Sequence, residues 1–271
     1  MKAQTEPTIA TDGTTPLTVR QDWQKCYSGR SPELLMRASA KSSLIDRFIQ
    51  GGTGRIFELG CGGSKVLVRC AELGWQVGGI DYYKPAVDML HTCLESNGHS
   101  AKNVLLGDFL DADCAPLRES CDLLVSFGVI EHFDDAWGIL DKWKCVLKKG
   151  GIVVTSVPNM HSINAAPFRW LDRAYWRQHV AYTPEAMDSL HTKAGLDVVQ
   201  KADYVGKYSL DMLTPWDVIA RRFRNRYLFK VVHTLARLCV EKPLGLFPGR
   251  GVRRLSPHVM GVYSFGHESA P

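Results

Sequence analysis

An acidic side chain followed by closely spaced glycines is the first feature of this chain that points to chemistry. Glu58 ends a short apolar segment that includes Ile56, and Gly60, Gly62 and Gly63 follow it. Glycines let a backbone turn tightly and approach a ligand closely. A carboxylate at this place would attract an ammonium group and repel a pyrophosphate. We expect either a binding loop for a molecule with a cationic end or a glycine-rich turn without a ligand.

The elements around this loop are a strand and a helix. The apolar residues before Glu58 predict a buried strand, and the segment from Val66 to Gly74 predicts a helix whose first N–H groups are free to face a ligand. The dinucleotide fingerprint G-x-G-x-x-G would need a small residue at the position of Lys65. The spacing therefore disfavours a nicotinamide-dependent oxidoreductase.

A second acid stands at the end of the next predicted strand. Asp81 follows the segment 76–80 and lies 21 residues after Gly60. At this distance a carboxylate at a strand tip meets the hydroxyls of a ribose. Asp81 could instead cap the helix predicted for 85–94, but two motifs at the right separation favour the ribose. Tyr82 or Tyr83 would then lie against an adenine ring.

The glycine loop has a counterpart in a known family. Glu58-Leu59-Gly60-Cys61-Gly62 resembles the first motif, D/E-x-G-x-G-x-G, of class I S-adenosylmethionine-dependent methyltransferases, with Ser64 in place of the last glycine. The resemblance implies S-adenosylmethionine as the cofactor, with Glu58 near its ammonium end. It also implies that Asp108, with Phe109 beside it, binds the adenine amino group. An ordinary Gly-Asp turn is the alternative for Asp108.

A second motif follows the fourth predicted strand. The apolar run from Cys121 to Gly128 is typical of a strand buried on both faces of a parallel sheet. The stretch 126–133 resembles the fourth motif of small-molecule methyltransferases of the ubiquinone and cyclopropane-fatty-acid types. In that comparison Phe127 lines the cofactor, and Glu131 and His132 start the next helix. His132 could act as a general base or hold the loop by a hydrogen bond, and both roles stay open.

The alternation of strands and helices stops between residues 159 and 182. This insertion is rich in aromatic, His and Arg residues and would hang over the mouth of the cofactor site. We predict that it binds the methyl acceptor, and a packed structural excursion is an equally weighted alternative. Tyr27, which could cap the pocket or pack in the core, joins the candidates. The candidate acceptor-binding residues are Tyr27, His161, Trp170, Trp176 and His179.

Alternating strands and helices predict an α/β fold with a Rossmann-like, doubly wound sheet. The family resemblance implies seven strands with the last one, near 258–265, antiparallel. N-terminal helices and a helical insertion before the last strand are added to this core. The expected organisation is a flexible leader (1–18), N-terminal helices (19–50), the S-adenosylmethionine-binding core (51–208), a basic amphipathic helical insertion (209–255), and the last strand and tail (256–271).

The insertion contains a stretch, 216–240, with the pattern of a basic amphipathic helix. The apolar stripe consists of Trp216, Ile219, Phe223, Tyr227, Val231, Leu235 and Leu238, and the basic residues are Arg221, Arg222, Arg224, Arg226 and Lys230. Such a helix can lie on an anionic membrane surface or cover a hydrophobic acceptor. More often the stripe docks on its own domain, and docking is what we expect here.

Charge, cysteine spacing and the length of the apolar runs disfavour several classes of protein. The formal net charge of +5 is modest for 271 residues and does not indicate nucleic acid as a partner. Eight cysteines include no C-x-x-C pair, so we predict reduced thiols and no metal site. No apolar run approaches the roughly 20 residues of a membrane span. The polar N-terminus lacks the apolar core of a secretory signal, and we expect a cytoplasmic protein.

These features predict an S-adenosylmethionine-dependent methyltransferase that acts on a small molecule, lipid-like or from secondary metabolism, by O-, N- or C-methylation. The missing metal-ligand cluster disfavours a metal-assisted catechol-type enzyme. No Asn/Asp-Pro-Pro-Tyr motif follows the fourth strand, which disfavours methylation of nucleobase amines or glutamine amides. The alternatives are a non-catalytic cofactor-binding or membrane-associating module and, less favoured, the oxidoreductase.

Overall fold

The computed structural model describes residues 16–18, 45–49, 52–210, 216, 219–220, 226–247 and 249–266. Most of the segment 19–50, for which helices are predicted, lies outside these residues, and so does Tyr27. Its described part contains the short helix α1, Asp46–Ile49. Ile45 and Ile49 are fully buried, so this segment packs against the core.

Within the described part of the chain, seven strands form one sheet in the order β3-β2-β1-β4-β5-β7-β6. Neighbours among β1 to β5 are parallel, whereas β7 is antiparallel to both β5 and β6. The predicted Rossmann-like sheet and its antiparallel last strand are therefore confirmed. The strands are β1 Arg55–Leu59, β2 Gln76–Asp81, β3 Val104–Leu106, β4 Cys121–Phe127, β5 Leu147–Pro158, β6 Asp197–Val205 and β7 His258–Ser264.

Helices connect the strands and fill the insertions. The helices after α1 are α2 Lys65–Glu72, α3 Lys84–Ser96, α4 Trp137–Trp143, α5 Phe168–Leu171, α6 Arg173–Arg177, α7 Pro184–Lys193, α8 Arg226–Ala236 and α9 Lys242–Leu244. Three 3-10 turns, Ala115–Leu117, Ile130–His132 and Lys144–Val146, and a π-helical segment, Arg237–Glu241, add to these in the described ranges.

The core lies on both faces of the sheet. Successive residues of the central strands point to opposite sides, so that Leu123 and Val125 join one apolar cluster and Leu124 the other. The first cluster includes buried residues of α2 and α3, and the second includes residues of α4 and α7. Burial on both faces explains the continuous apolar run predicted as a central parallel strand.

Two strands have unusual bounds. β5 begins soon after α4 ends at Trp143, and it runs through Gly150 and Gly151, a pair that would more commonly end an element. Leu147 pairs with Cys121 across the sheet, and this pairing carries β5 back through the glycines. β3 is only three residues long, because the chain turns at Asp108, whose Oδ1 accepts a hydrogen bond from the Leu110 N–H at 3.0 Å.

Both insertions leave the sheet at the edge where the parallel strands end. The first follows the last residue of β5 and contains α5 and α6, and the second runs from the end of β6 to the start of β7 and contains α8 and α9. Val205, which ends β6, pairs with His258, and His258 pairs with Pro158 at the end of β5. Both insertions are therefore on the side of the glycine loop. Among the described helices, none is both long enough and apolar enough to cross a membrane.

Candidate functional site

The glycine loop between β1 and α2 passes close to two neighbouring segments. Gly60 and Gly63 have positive φ angles of 68° and 62°, which glycine adopts without strain. A Cβ at Gly60 would lie 2.5 Å from Val129 Cγ2, and one at Gly62 would lie 2.7 Å from Asp81 Oδ2. The loop therefore needs the absence of side chains at both Gly60 and Gly62, as its glycine spacing predicted.

Glu58 lies under this loop and is only 4% exposed. The hydroxyl of Ser64 donates a hydrogen bond to Glu58 Oε2, and Ser64 Oγ also accepts one from the Leu67 N–H at 3.0 Å. Ser64 thus caps α2 and joins the acid to the start of the helix. Burial, with a smaller contribution from the nearby charge of Asp81, raises the pKa of Glu58 to about 8. A cation bound here would favour the ionised carboxylate.

Asp81 ends β2 directly above the loop. Its Oδ2 accepts a hydrogen bond from the Gly62 N–H at 2.9 Å, and its Oδ1 accepts one from the Tyr83 N–H at 2.7 Å. Burial raises the pKa of Asp81, although both hydrogen bonds oppose this shift. The first residue before α3 is Tyr83, which makes no side-chain capping bond. Asp81 therefore holds the glycine loop through Oδ2 and the residue before α3 through Oδ1.

The tip of β3 lies beside Asp81. The Gly107 N–H donates to the Asp81 carbonyl at 3.0 Å, and the half-buried Asp108 follows. Phe109 is buried in the core, where its ring meets Phe133 edge to face with centroids 5.7 Å apart. The remaining two cofactor candidates, Tyr82 and Phe127, are half-buried at the ends of β2 and β4.

Glu131 and His132 lie in a 3-10 turn after β4, not at the start of a helix as predicted. Phe133 is extended, and α4 begins only at Trp137. Glu131 is 1% exposed, and its Oε2 has no hydrogen-bond partner among the described residues. Its Oε1 lies 3.8 Å from His132 Nε2. Burial raises the pKa of Glu131 to about 8.

The imidazole of His132 is oriented by the insertion. His132 Nδ1 lies 2.9 Å from the carbonyl oxygen of Gln178, which can only accept, so Nδ1 carries the proton. In the neutral ring Nε2 is then the unprotonated nitrogen, which is the state a proton acceptor needs. The Val180 N–H donates to the Glu131 carbonyl at 2.7 Å and fixes the same end of the insertion.

A row of rings continues from His132 into the insertion. His132 and His179 have centroids 4.6 Å apart, His179 and Tyr175 4.4 Å, and Tyr175 and Phe168 4.2 Å. Burial lowers the pKa of His179, which keeps this ring neutral. The insertion is therefore packed, and the packing brings His179 to His132.

The other described acceptor candidates lie away from this row. His161 Nδ1 is 3.3 Å from a guanidinium nitrogen of Arg253. Trp176 lies under the guanidinium of Arg169, with 4.5 Å between Cζ and the ring centroid. Trp170 is 72% exposed. Of the four described candidates, His179 is the one whose ring contacts the candidate base.

Two groups of this site were not among the residues predicted from the sequence. Ser64 was treated as a tolerated replacement for glycine, although a serine directly before a helix is itself a capping signal. The Gln178 carbonyl that orients His132 is a backbone atom, so no residue type could have indicated it.

The arrangement fits a cofactor with an adenosine part and a cationic amino-acid part. Glycines leave room for backbone contact, Asp81 is aligned by two N–H groups and retains lone pairs for ribose hydroxyls, and the Glu58 carboxyl is placed for a cation. Among the described residues, no group of three or more His, Cys, Asp or Glu side chains could hold a metal ion.

Comparisons with known proteins agree with this geometry. The profile of a family described as a methyltransferase domain matches residues 33–201. A ubiquinone biosynthesis O-methyltransferase from Cereibacter sphaeroides is 28% identical over 162 residues, which are 56% of this chain and 63% of that protein. The enzyme of the same name from a Ruegeria species is 24% identical over 188 residues, 64% of this chain and 71% of that one. The chain thus spans about two thirds of the length of these curated relatives.

Solved structures share the fold. A methyltransferase dependent on S-adenosylmethionine from Archaeoglobus fulgidus superposes with a TM-score of 0.53 at 17% identity, covering 92% of this chain and 100% of that one. A second, from Thermotoga maritima, described as a possible histamine N-methyltransferase, gives 0.52 at 16% identity and covers 90% and 94%.

Proposed function

This chain belongs to the methyltransferase domain family, and from that premise we propose that it transfers the methyl group of S-adenosylmethionine to a hydroxyl group of a small molecule. The observation that carries the proposal is the glycine loop held against Asp81, with Gly62 N–H bonded to the carboxylate and the buried Glu58 beneath. Such a cofactor needs a backbone that it can approach closely, a carboxylate that accepts hydrogen bonds from the ribose, and a buried acid for its ammonium group.

In this proposal the loop and the strand tips bind the cofactor. Gly60 and Gly62 bring the backbone against it, Asp81 accepts hydrogen bonds from the ribose hydroxyls, and Glu58 pairs with the ammonium group. Asp108 binds the adenine amino group, and the residues that flank the cofactor are Tyr82, Phe109 and Phe127. Bound S-adenosylmethionine supplies a methyl group that positive sulfur already activates. The protein therefore has to orient the acceptor and exclude water.

The proton of the acceptor goes to His132. A hydroxyl is a poor nucleophile while it keeps its proton, and His132 Nε2 is the ring nitrogen that can accept one, because Nδ1 donates its own proton to the Gln178 carbonyl. The buried Glu131 carboxyl lies 3.8 Å from Nε2, and its ionised form would stabilise the imidazolium. His179 lies against the same ring and positions it.

The class of methyl acceptor is inferred from the pair of His132 and Glu131 and from the curated relatives. Both relatives are named as O-methyltransferases, and a neutral histidine paired with a buried acid suits a phenolic hydroxyl, whose proton is acidic enough for imidazole to remove. The acceptor would lie between the end of β4 and the insertion 159–182, where His161, Trp170 and Trp176 can contribute the outer wall.

The test has two stages. Isothermal titration with S-adenosylmethionine should give micromolar affinity, whereas a nicotinamide dinucleotide should not bind. The protein is then incubated with S-adenosylmethionine and a panel of catechols, monophenols, amines and fatty acids, and S-adenosylhomocysteine is quantified by mass spectrometry. We expect turnover with phenols. Binding without turnover of any acceptor, or turnover with amines alone, would contradict the proposal.

Matched histidine variants test the proton acceptor. His132→Ala should keep cofactor affinity within about twofold and lower kcat by about 100-fold or more, the usual contribution of a general base. His99→Ala, which changes a histidine beyond the C-terminus of α3, is the control and should leave both unchanged. Full activity of His132→Ala would remove this residue from the mechanism.

A further inference from the structure

The second insertion carries an excess of positive charge. Between residues 206 and 257 there are eleven Lys and Arg residues and three acids, Asp211, Asp217 and Glu241. The whole chain has 33 basic and 28 acidic residues, so the rest of it holds 22 basic and 25 acidic residues. Without the insertion the formal net charge would therefore change sign. A field this uneven attracts an anionic partner to one side of the molecule.

Helix α8 in this insertion has an apolar side that faces away from the protein. Its inner side contacts Trp216, whose ring centroid lies 4.6 Å from that of His233 and 6.1 Å from that of Phe229. Val231 and Leu235 are 54% and 53% exposed, and Val232 is exposed as well. With 3.6 residues per turn, these three side chains share an arc on the other side of the helix.

This corrects the expectation that the predicted apolar stripe docks on the domain. In its described C-terminal half, Tyr227, Val231, Leu235 and Leu238 are all exposed. The side chains that pack inward, Phe229 and His233, were not part of the stripe. The described part of the helix is thus apolar on two sides, of which the side with Phe229 and His233 is covered by Trp216 and the side with Val231 and Leu235 is exposed.

The insertion is fastened to the region that we assign to acceptor binding. Asn159 Nδ2, directly after β5, donates to the carbonyls of Arg253 and Ser256 at 2.6 and 2.8 Å. The Tyr208 hydroxyl donates to Asn164 Oδ1 at 2.7 Å, and Asn164 Nδ2 donates to the Ser209 carbonyl at 2.7 Å. These bonds join the two insertions at the carboxyl edge of the sheet.

Trp216 and Glu241 extend this attachment to α8. The Trp216 indole donates to the Leu210 carbonyl at 2.8 Å, and Glu241 Oε2 accepts from the Leu210 N–H at 3.2 Å. Leu210 is therefore tied to the middle of α8 through Trp216 and to the following segment through Glu241, while the outer side of α8 stays exposed.

We propose that the outer side of α8 and its continuation to Leu238 bind the surface of an anionic lipid bilayer. A helix that lies in a membrane interface combines exposed aliphatic side chains with flanking lysines and arginines, and this segment has both, with Lys230 and Lys242 exposed beside the aliphatic side. The positive charge of the insertion argues against a second copy of the chain as the partner. A second copy of the chain docked on this side would bring two strongly basic insertions together.

A nucleic acid would use the basic residues but not the exposed aliphatic ones. The aliphatic side needs an apolar environment, and the lysines and arginines need anionic groups next to it. An anionic membrane surface supplies both within the same interface.

Vesicle co-sedimentation at 150 mM NaCl tests the proposal on the full chain. We expect binding to vesicles of phosphatidylglycerol and phosphatidylcholine in equal amounts, at least tenfold weaker binding to pure phosphatidylcholine, and release at 500 mM NaCl. No binding to the anionic vesicles, or equal binding to both kinds, would overturn it.

Three variants locate the contact. Val231→Ser with Leu235→Ser removes exposed aliphatic groups and should weaken vesicle binding at least tenfold, and Lys230→Gln should weaken it about fivefold. Val199→Ser changes an equally exposed aliphatic residue on β6 and should bind like the unaltered protein. Equal binding of the double variant and Val199→Ser would show that α8 is not the contact.

Two further measurements separate a lipid contact from misfolding of the variants and from self-association. S-adenosylmethionine affinity and circular dichroism of the variants should be unchanged, because the substituted side chains are exposed and remote from the glycine loop; failure of the proposed methyl transfer would not affect these results. Light scattering reports the oligomeric state. A dimer that the double Ser variant dissociates, without vesicle binding, would assign this side to a second copy and overturn the lipid proposal.

Discussion

At the scale of single residues, the Glu58 carboxyl must lose a proton before it can pair with a cation. Burial raises its pKa to about 8, so the free protein holds a proton on Glu58 at neutral pH. A ligand ammonium group binds the ionised form better and must displace this proton. The proposed role of Glu58 thus makes cofactor binding depend on pH.

We predict that the affinity for S-adenosylmethionine rises by up to tenfold per pH unit between pH 6 and 7.5, below the range in which the amino group of the cofactor itself titrates. Isothermal titration in buffers of different ionisation enthalpy should show release of nearly one proton at pH 7. Glu58→Gln should bind more weakly and lose this pH dependence. An unchanged proton release in Glu58→Gln would assign the proton to another group.

Asp81 has a different task, because it accepts two backbone hydrogen bonds and is proposed to accept more from the cofactor. Asp81→Asn keeps the shape but replaces an accepting oxygen by a donor that faces an N–H group. We expect at least tenfold weaker cofactor binding, in line with the loss of one or two hydrogen bonds to a charged group. Asp88→Asn on the exposed side of α3 is the matched control, and equal affinities of the two variants would refute the role of Asp81.

At the scale of elements, the start of α2 is the part of the fold most closely tied to the site. Ser64 caps this helix and also donates to Glu58, so Ser64→Ala should lower both stability and cofactor affinity. A lost cap costs about 1 kcal/mol, or roughly 2–4 °C in melting temperature for a chain of this size.

The comparison is Thr183→Ala at the start of α7, where Thr183 Oγ1 accepts from the Ala186 N–H at 3.2 Å. This variant should lose similar stability in thermal melts and keep its cofactor affinity. If both variants bind the cofactor as the unaltered protein does, the Ser64–Glu58 bond has no part in binding.

Local patterns predicted the elements that depend on local chemistry. The glycine loop and Asp81 at its strand tip follow from backbone freedom and spacing, both of which a few neighbouring residues determine. The pairing of Leu147 with Cys121 depends on a strand distant in sequence, so the residues near Leu147 do not determine where β5 begins. The turn at Glu131 likewise depends on contacts with the insertion.

The outer side of α8 shows why periodicity alone was insufficient. Residues spaced by three and four predict that a stripe exists, but they do not determine which side meets the protein. Trp216 selects Phe229 and His233 as the inner contacts, and the C-terminal half of the predicted stripe, Tyr227, Val231, Leu235 and Leu238, is exposed. The acceptor-binding residues stay predictions, because insertions share no common pattern from which to infer contacts.

At the scale of the whole molecule, the sheet separates two tasks. Loops after β1, β2 and β3 form the proposed cofactor side, and the insertions after β5 and β6 form the proposed acceptor side and the basic surface. His132, at the end of the central strand β4, lies where the two sides meet. The methyl donor and acceptor can therefore be brought together at one sheet edge while each has its own binding elements.

Buried ionisable groups on this framework set the pH dependence of folding. Burial lowers the pKa values of His191 and His258 to about 4, so these two side chains bind more protons in the unfolded chain than in the folded one between about pH 4 and 6.5, and their contribution to stability rises with pH in that range. Glu58 and Glu131 act in the opposite direction, because their folded pKa values of about 8 exceed the usual value of 4.5.

Above pH 6.5 the two histidines no longer contribute, whereas Glu58 and Glu131 still do. The folded protein then keeps protons that the unfolded chain has released, so stability should fall between pH 6.5 and 8 by up to about 1.4 kcal/mol per pH unit for each carboxyl. Glu131→Gln mimics the protonated side chain and should remove about half of this slope in urea titrations of the cofactor-free protein. Saturating S-adenosylmethionine should reduce the slope further, since the cation favours ionised Glu58. If the slope is identical in Glu131→Gln and the unaltered protein, Glu131 is ionised in the folded state. The Glu131 carboxylate beside His132 would then stabilise the imidazolium before any substrate binds.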